Sequence, residues 1–149
     1  MDEKRPTGET FVKLLKILRF LRQYARKVRS EGIGPRDYSV LRFLLESGPA
    51  TVGQIQAVLH YSPSTTSTLI ARLEGSGYLV RTRSRADNRV VVAELTAAGR
   101  EIAEQTPLGG LPLLRQKLGT LPPERLRRLD QALVEIMVLL EMPDSDAFS

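Results

Sequence analysis

The chain of 149 residues is long enough for one small domain with helical extensions, and its hydrophobic content of 42% excludes a chain that is disordered by composition. The sequence contains no apolar run near the length of about 18 residues that a membrane span requires, and it contains no cysteine for disulfides, thiol redox sensing or thiolate metal sites. The net charge of +5 favours an anionic partner, either nucleic acid or an anionic membrane surface.

The first part of the chain predicts a long amphipathic helix. Residues 1–9 are polar and are expected to be flexible. Residues 10–30 then repeat apolar side chains at helical spacing, opposite a basic face that is either solvated or in contact with phosphates. Lys13, Lys16 and Arg19 interrupt the apolar stretch, so the segment is not a signal peptide.

Three shorter helices are predicted next. The first covers residues 35–46. Thr51 suits the N-cap of a second helix at 52–59, and Ser62 suits the N-cap of a third at 63–73.

A β-hairpin is predicted after these helices. Strand-like runs at 78–83 and 89–95 flank the turn-forming residues 84–88. Thr96 is the expected N-cap of a fifth helix, and the prolines and glycines within 107–112 should kink or split that helix.

Two short helices followed by a hairpin are the parts of a winged helix-turn-helix, whose second helix enters the DNA major groove. Along residues 63–73 the inner face, which should pack on the domain, consists of Thr66, Leu69, Ile70 and Leu73. The outer face is small and hydroxylated and carries one arginine, and such side chains bond base edges or phosphates. The predicted base-reading residues are Ser64, Ser67, Thr68 and Arg72.

The hairpin is strongly cationic, and Asp87 is its one acidic residue between positions 81 and 89. A cationic hairpin tip suits the minor groove or the flanking phosphates, although charge also keeps an edge hairpin soluble without any ligand. Asp87 either serves only to form the turn or, because it lies two residues from Arg89, holds the guanidinium of Arg89 in one pose. The residues predicted to contact the DNA backbone or the minor groove are Ser62, Thr65, Arg83, Arg85 and Arg89.

Short motifs between residues 62 and 100 carry a family resemblance. They are Ser62-Pro63-Ser64-Thr65, residues 69–74, residues 77–80, Asp87-Asn88-Arg89 and residues 95–100, which read Leu-Thr-Ala-Ala-Gly-Arg. Together they resemble the multiple antibiotic resistance regulator (MarR) family, and the resemblance extends over nearly the whole chain. It implies a homodimeric transcriptional regulator, usually a repressor, that binds a pseudo-palindromic operator. Many members release DNA when a small aromatic or phenolic ligand binds.

The sequence departs from the family pattern at several positions. His60-Tyr61 stands where many relatives have Gly-Leu, and Thr68 stands where many have a basic or larger polar residue. The prolines and glycines within 107–112 are expected to alter the terminal helices that dimerise in the family. The thiol-oxidation mechanism of some relatives is excluded because the chain has no cysteine.

The terminal helices predict a two-fold dimer. Pro122 and Pro123 open a last predicted helix, which runs to about Met142. Its apolar stripe and the wide apolar face of 10–30 exceed what a small winged helix covers. The alternative is intramolecular packing that leaves a monomer. The predicted fold is therefore mainly α (α+β), and it divides into a flexible N-terminus (1–9), a helical dimerisation region (10–31 and 97–142), a winged helix-turn-helix (32–96) and a flexible tail (143–149).

The predicted function is that of a sequence-specific regulator that binds double-stranded DNA as a homodimer in the cytoplasm, with a possible small aromatic ligand. A crevice between residues 14–24, the second helix and the start of the fifth helix is the expected ligand site. The alternative is a winged-helix protein-interaction module without specific DNA binding. His60 is the single histidine, and no catalytic residues, metal ligands or cofactor are predicted.

Overall fold

The computed structural model describes residues 6–143, so residues 1–5 and 144–149 of the predicted flexible termini lie outside the described residues. Over that range the chain forms a mainly α fold with one two-stranded antiparallel sheet, which confirms the predicted class. The elements are α1 (Pro6–Ser30), α2 (Pro35–Ser47), α3 (Val52–Leu59), α4 (Pro63–Gly75), β1 (Leu79–Arg83), β2 (Val91–Leu95), α5 (Ala97–Gln105), α6 (Gly110–Leu118) and α7 (Pro123–Leu139).

Several element boundaries differ from the predicted ones. Helix α1 begins at Pro6, so residues 6–9 are helical and not part of a loose N-terminus. Proline is tolerated in a first helical turn, and Glu9 in that turn complements the helix dipole. Strand β2 starts two residues later than predicted, because the N–H of Val90 donates to the Asp87 carbonyl (3.0 Å) and prolongs the turn.

The caps of α3 position the turn that leads into α4. The Thr51 hydroxyl accepts the N–H of Gln54, and the Gln54 side chain accepts the N–H of Thr51, which is a reciprocal capping box. His60 follows α3 with a φ of 54°, in the left-handed region that favours glycine. His60 therefore closes α3 as a turn residue, at one of the positions where the sequence departs from the family pattern.

The core lies around α2. Tyr38, Val40 and Leu41 of this helix are fully buried, together with Ile55 of α3 and Ile70 of α4. Helix α2 contacts α1, α3, α4 and α5, so it connects the terminal helices to the helix-turn-helix. Burial of these apolar side chains is the main stabilising term of such a fold.

The hairpin gains a third segment that the sequence did not predict. β1 and β2 pair from Leu79–Leu95 to Arg83–Val91. Ala50, in the link between α2 and α3, also exchanges two backbone hydrogen bonds with Ala93 (3.1 and 2.8 Å). This bridge ties the base of the hairpin to the start of the helix pair.

The predicted break after α5 is present, and two tyrosines hold it. The Tyr24 hydroxyl donates to the Pro107 carbonyl (2.9 Å), and the Tyr38 hydroxyl donates to the Thr106 carbonyl (3.3 Å). Gly110 has a φ of 56°, and a Cβ at this position would overlap the Tyr24 ring. The split between α5 and α6 is thus a packed feature of the fold.

The outer helices carry apolar side chains that the rest of the described chain leaves uncovered. Helix α7 has no buried residue. The exposed apolar residues of α1 and α7 include Phe11, Val12, Leu15, Ile17, Leu18, Phe20, Leu126, Leu129, Leu133 and Met137. No helix between residues 6 and 143 combines the length and the apolar character needed to cross a membrane.

Candidate nucleic-acid interface

Helix α4 begins with a network of hydroxyl groups. The Ser62 hydroxyl accepts the N–H of Thr65 (3.1 Å) and donates to the Thr65 hydroxyl (2.8 Å). The Thr66 hydroxyl donates to the Ser62 carbonyl (2.9 Å). These bonds satisfy groups that a helix start leaves open, so Ser62 and Thr65 already have a structural role.

The two faces of α4 are those that the sequence predicted. Thr66, Leu69, Ile70 and Leu73 are buried, whereas Ser64, Ser67, Thr68 and Arg72 are exposed. The Thr68 hydroxyl donates to the Ser64 carbonyl (2.9 Å) and keeps its lone pairs available. The outer face therefore consists mainly of small side chains and is rich in hydrogen-bonding groups.

Arg72 is not a free side chain. Its Nη2 donates to Oδ1 of Asp37 on α2 over 2.6 Å, and its Nε donates to the same oxygen over 3.2 Å. The side chain of Asp37 is 13% exposed and that of Arg72 is 55% exposed. Sequence reasoning missed Asp37, because nothing in the local pattern relates two residues that lie 35 positions apart. The base-reading role of Arg72 stays a prediction.

The hairpin of β1, β2 and the turn between them (the wing, residues 79–95) contains the contact between Asp87 and Arg89 that the sequence predicted. Nε of Arg89 donates to Oδ1 of Asp87 and Nη2 of Arg89 donates to Oδ2, each over 3.2 Å, and the Arg89 N–H donates to Oδ1 over 3.0 Å. The hydrogen bonds from the Arg89 side chain and backbone lower the pKa of the Asp87 carboxyl. Asp87 is thus ionised at neutral pH and orients a guanidinium whose side chain is 91% exposed.

The other arginines of the hairpin divide into two kinds. Nε of Arg81 lies 2.8 Å from Oε2 of Glu74 at the end of α4. This ion pair connects α4, the predicted recognition helix, to the wing. Arg83 and Arg85 are exposed and form no ion pair within residues 6–143. Arg83, Arg85 and Arg89 therefore present positive charge to solvent.

The Leu-Thr-x-x-Gly element fastens the base of the wing to α5. The Thr96 hydroxyl accepts the N–H of Gly99 (3.1 Å) and donates to the Gly77 carbonyl (2.6 Å). A Cβ at Gly99 would overlap the backbone of Tyr78. Glycine is required here because α5 packs directly against the chain that enters β1.

Among residues 6–143, no group of three or more His, Cys, Asp or Glu side chains is placed to hold a metal ion. His60 lies in the turn before α4 and belongs to the helix-turn-helix geometry.

Comparisons with known proteins agree with this geometry. A family model described as the MarR family matches residues 31–89, which run from the link before α2 to the turn between β1 and β2. The chain is 32% identical over 101 residues to an uncharacterized HTH-type transcriptional regulator, YkoM of Bacillus subtilis (strain 168), and the alignment covers 67% of this chain and 66% of that protein. The alignments span between 48% and 83% of the length of this and two further curated relatives.

Solved structures extend the similarity to the terminal helices. A MarR family protein from Bacillus stearothermophilus is 25% identical, with a TM-score of 0.61 over 95% of this chain and 99% of that one. Reduced AbfR bound to DNA is also 25% identical, with a TM-score of 0.55 over 93% of this chain and 96% of that one. The winged helix-turn-helix, the contact between Asp87 and Arg89 in the wing and the similarity to these relatives together show that the chain belongs to the MarR family.

Proposed function

We propose that this chain is a transcriptional repressor that binds double-stranded DNA sequence-specifically as a homodimer on a pseudo-palindromic operator. The observation that carries the proposal is the combination of an exposed hydroxyl face on α4 with a wing whose Arg89 is oriented in advance by Asp87. The matched curated relatives are named as HTH-type transcriptional regulators, and a similar structure, that of AbfR, is bound to DNA.

In the proposed complex α4 lies in the major groove. Ser64, Ser67 and Thr68 are exposed hydroxyl donors and acceptors that bond base edges or phosphates. Arg72 has two ways to read a base. Its guanidinium either leaves Asp37 first or contacts the base while it stays bonded to Asp37. Ser62 and Thr65 contact the backbone from the start of the helix.

The wing supplies contacts that do not depend on sequence. Arg83, Arg85 and Arg89 neutralise backbone phosphates or enter the adjacent minor groove. Orientation of Arg89 by Asp87 before binding reduces the side-chain entropy that complex formation would otherwise lose.

A second copy of the chain is the proposed cover for the apolar faces of α1 and α7. Contiguous apolar surface of this kind is uncommon on monomers, and two-fold dimers are the commonest way of burying it. The two copies of α4 would then lie about 34 Å apart, which suits half-sites one helical turn apart.

Release by a small aromatic ligand stays a prediction. Tyr24 belongs to α1 and packs against the link from α5 to α6, beyond the end of α5 and not at its start, where the ligand crevice was predicted; its hydroxyl donates to the Pro107 carbonyl. A ligand at this position would have to displace the Tyr24 ring. Because Tyr24 also holds the helix break, such displacement would connect ligand binding to the arrangement of the dimer arms.

Titration of the DNA upstream of the chain's own gene tests the proposal. The wild type should shift this fragment in the presence of excess unrelated DNA, and Arg89→Ala should weaken binding to every duplex and lower the salt dependence. The same substitution at Arg100, which pairs with Glu104 on α5, is the charge-matched control. Equal binding to all DNA, or none, would favour the protein-interaction module instead.

A further inference from the structure

A cleft of about 690 Å³ lies beside α4, and it combines residues already proposed to contact DNA with two arginines, Arg29 and Arg36, that have no role so far. The end of α1, the start of α2 and one flank of α4 form its walls. It is lined by Arg29, Arg36, Asp37, Ser64, Thr65, Thr68 and Arg72, among other residues. The cleft therefore opens onto the same hydroxyl groups that are proposed to face DNA.

The charge in this cleft is unbalanced. Asp37 is its one acidic lining residue, and Oδ1 of its carboxylate already accepts two hydrogen bonds from Arg72. Arg29 and Arg36 are exposed, and neither forms an ion pair with a residue in the part of the chain that the structure describes. Two guanidinium groups are thus left without a counter-charge at the edge of the cleft.

Arg36 is also positioned by an aromatic ring. Its Cζ lies 5.8 Å from the centroid of the Tyr61 ring, within the range of a cation–π contact. Tyr61 immediately precedes Ser62, the N-cap of α4. This contact holds the guanidinium of Arg36 near the start of the recognition helix, which lowers the entropy lost when it binds an anion.

The cleft and the wing lie on opposite flanks of α4. At about 100° per residue, Thr65 and Arg72 fall on one side of the exposed face and Glu74 falls on the other. Glu74 pairs with Arg81 of the wing, whereas Thr65 and Arg72 line the cleft. A duplex that receives α4 in its major groove would pass the wing on one side and this cleft on the other.

We infer that Arg29 and Arg36 form a second phosphate-binding site, which holds the DNA backbone on the flank of α4 opposite the wing. The inference rests on the proposed DNA-binding function and adds two contact residues to it. Phosphate is the expected ligand because guanidinium groups bond its oxygens strongly and the site opens onto the DNA-facing surface.

Salt-dependent titration of a mixed-sequence duplex of about 30 base pairs tests this site, because phosphate contacts need no operator. Arg36→Ala and Arg29→Ala should each lower the slope of log affinity against log salt by about 0.9 per bound protomer, whereas Arg36→Lys should retain most of the slope. The matched control is Arg19→Ala, which removes the same charge from α1 at a position that lines a different surface. Size-exclusion chromatography establishes that each variant has the wild-type oligomeric state.

The outcomes separate the two proposals. If the wild type binds no duplex even at low salt, the proposed function fails. If the wild type binds and the Arg29 and Arg36 variants keep its slope, or if Arg19→Ala lowers the slope equally, the second phosphate site is wrong while the function stands. Saturable binding of inorganic phosphate that Arg36→Ala abolishes, with an unchanged slope for DNA, would assign the cleft to a free anion and would also overturn the inference.

Discussion

Nη2 of Arg72 lies 2.6 Å from Oδ1 of Asp37, so the recognition helix is fastened to α2 through a largely buried carboxylate. Hydrogen bonds between charged groups are stronger than neutral ones, and this pair joins two helices that also share the apolar core. The orientation of α4 therefore depends on a polar contact as well as on packing.

Asp37→Asn should destabilise the fold and loosen α4. The Asn amide accepts more weakly than the carboxylate, and because the Arg72 side chain is 55% exposed, the free energy of unfolding is expected to fall by about 1 kcal/mol. Urea denaturation measures the change. Glu9→Gln, an exposed acid in the first turn of α1, is the control and should change the free energy of unfolding by less than about 0.5 kcal/mol. Equal stability of both variants would show that the Asp37–Arg72 pair contributes nothing.

Asp87→Ala should weaken DNA binding without destabilising the fold. Arg89 would lose its bound pose and would have to be ordered on binding, which predicts an affinity about 2- to 10-fold lower. Fluorescence anisotropy measures the affinity, and thermal unfolding should give an unchanged midpoint. A higher affinity after removal of this negative charge would show that repulsion between Asp87 and DNA outweighs the brace.

The pH dependence of the wing follows from the lowered pKa of Asp87. The pKa of the Asp87 carboxyl is lowered in the folded protein. The carboxylate therefore keeps its contact with Arg89 at every pH above its ordinary pKa, and the contact is lost only as the pH falls through the lowered value. We expect the contribution of Asp87 to DNA affinity to be constant through neutral and mildly acidic pH. A difference between wild type and Asp87→Ala that changes between about pH 6 and 8 would contradict this assignment.

Gly99→Ala should destabilise the protein by about 1–3 kcal/mol, because its Cβ would overlap the Tyr78 backbone at the base of the wing. Gly75→Ala is the matched control, since a Cβ at that position meets open space. Differential scanning calorimetry should show a lower midpoint for Gly99→Ala alone. If both variants unfold at the wild-type temperature, α5 does not pack against Tyr78 as described.

Tyr24 should make the fold sensitive to alkaline pH. Burial is the largest cause that raises the pKa of Tyr24 to about 12 from 10.0. The resulting stability is fully present below the unfolded pKa and is lost as pH rises towards about 12. Tyr24→Phe removes the hydrogen bond to the Pro107 carbonyl and should lower the free energy of unfolding by about 1 kcal/mol near neutral pH. The stability of this variant should decline less steeply above pH 10. Chemical denaturation across this range compares the two proteins, and parallel curves would exclude Tyr24 as the cause.

Leu133→Asp on α7 should convert the proposed dimer into monomers. The side chain is 58% exposed in the single chain, and a charge in the proposed interface would be desolvated without a partner. Light scattering coupled to size-exclusion chromatography measures the mass. Gln131→Asp, on the opposite side of α7, should remain dimeric. A wild type that is monomeric at all concentrations would refute the dimer.

The local sequence determined much of the fold and of the candidate interface. Ser62 and Thr96 act as N-caps, Leu69 and Leu73 face inward at helical spacing, and Asp87 lies two residues before the arginine that it braces. Each of these relationships spans a few residues, so hydrogen-bonding capacity and periodicity were enough to predict it.

Tertiary structure decided the relationships between distant parts of the chain. The pairing of Asp37 with Arg72, the bridge from Ala50 to Ala93 and the contact of Arg36 with Tyr61 join residues whose separation has no local periodic signature. They form because packing of the apolar core brings α2 against α4 and the hairpin, and the polar groups at the edges of that packing then find partners. The sequence alone determined which face of α4 is exposed, whereas the packing of α2 determined how Arg72 is held and where Arg36 lies.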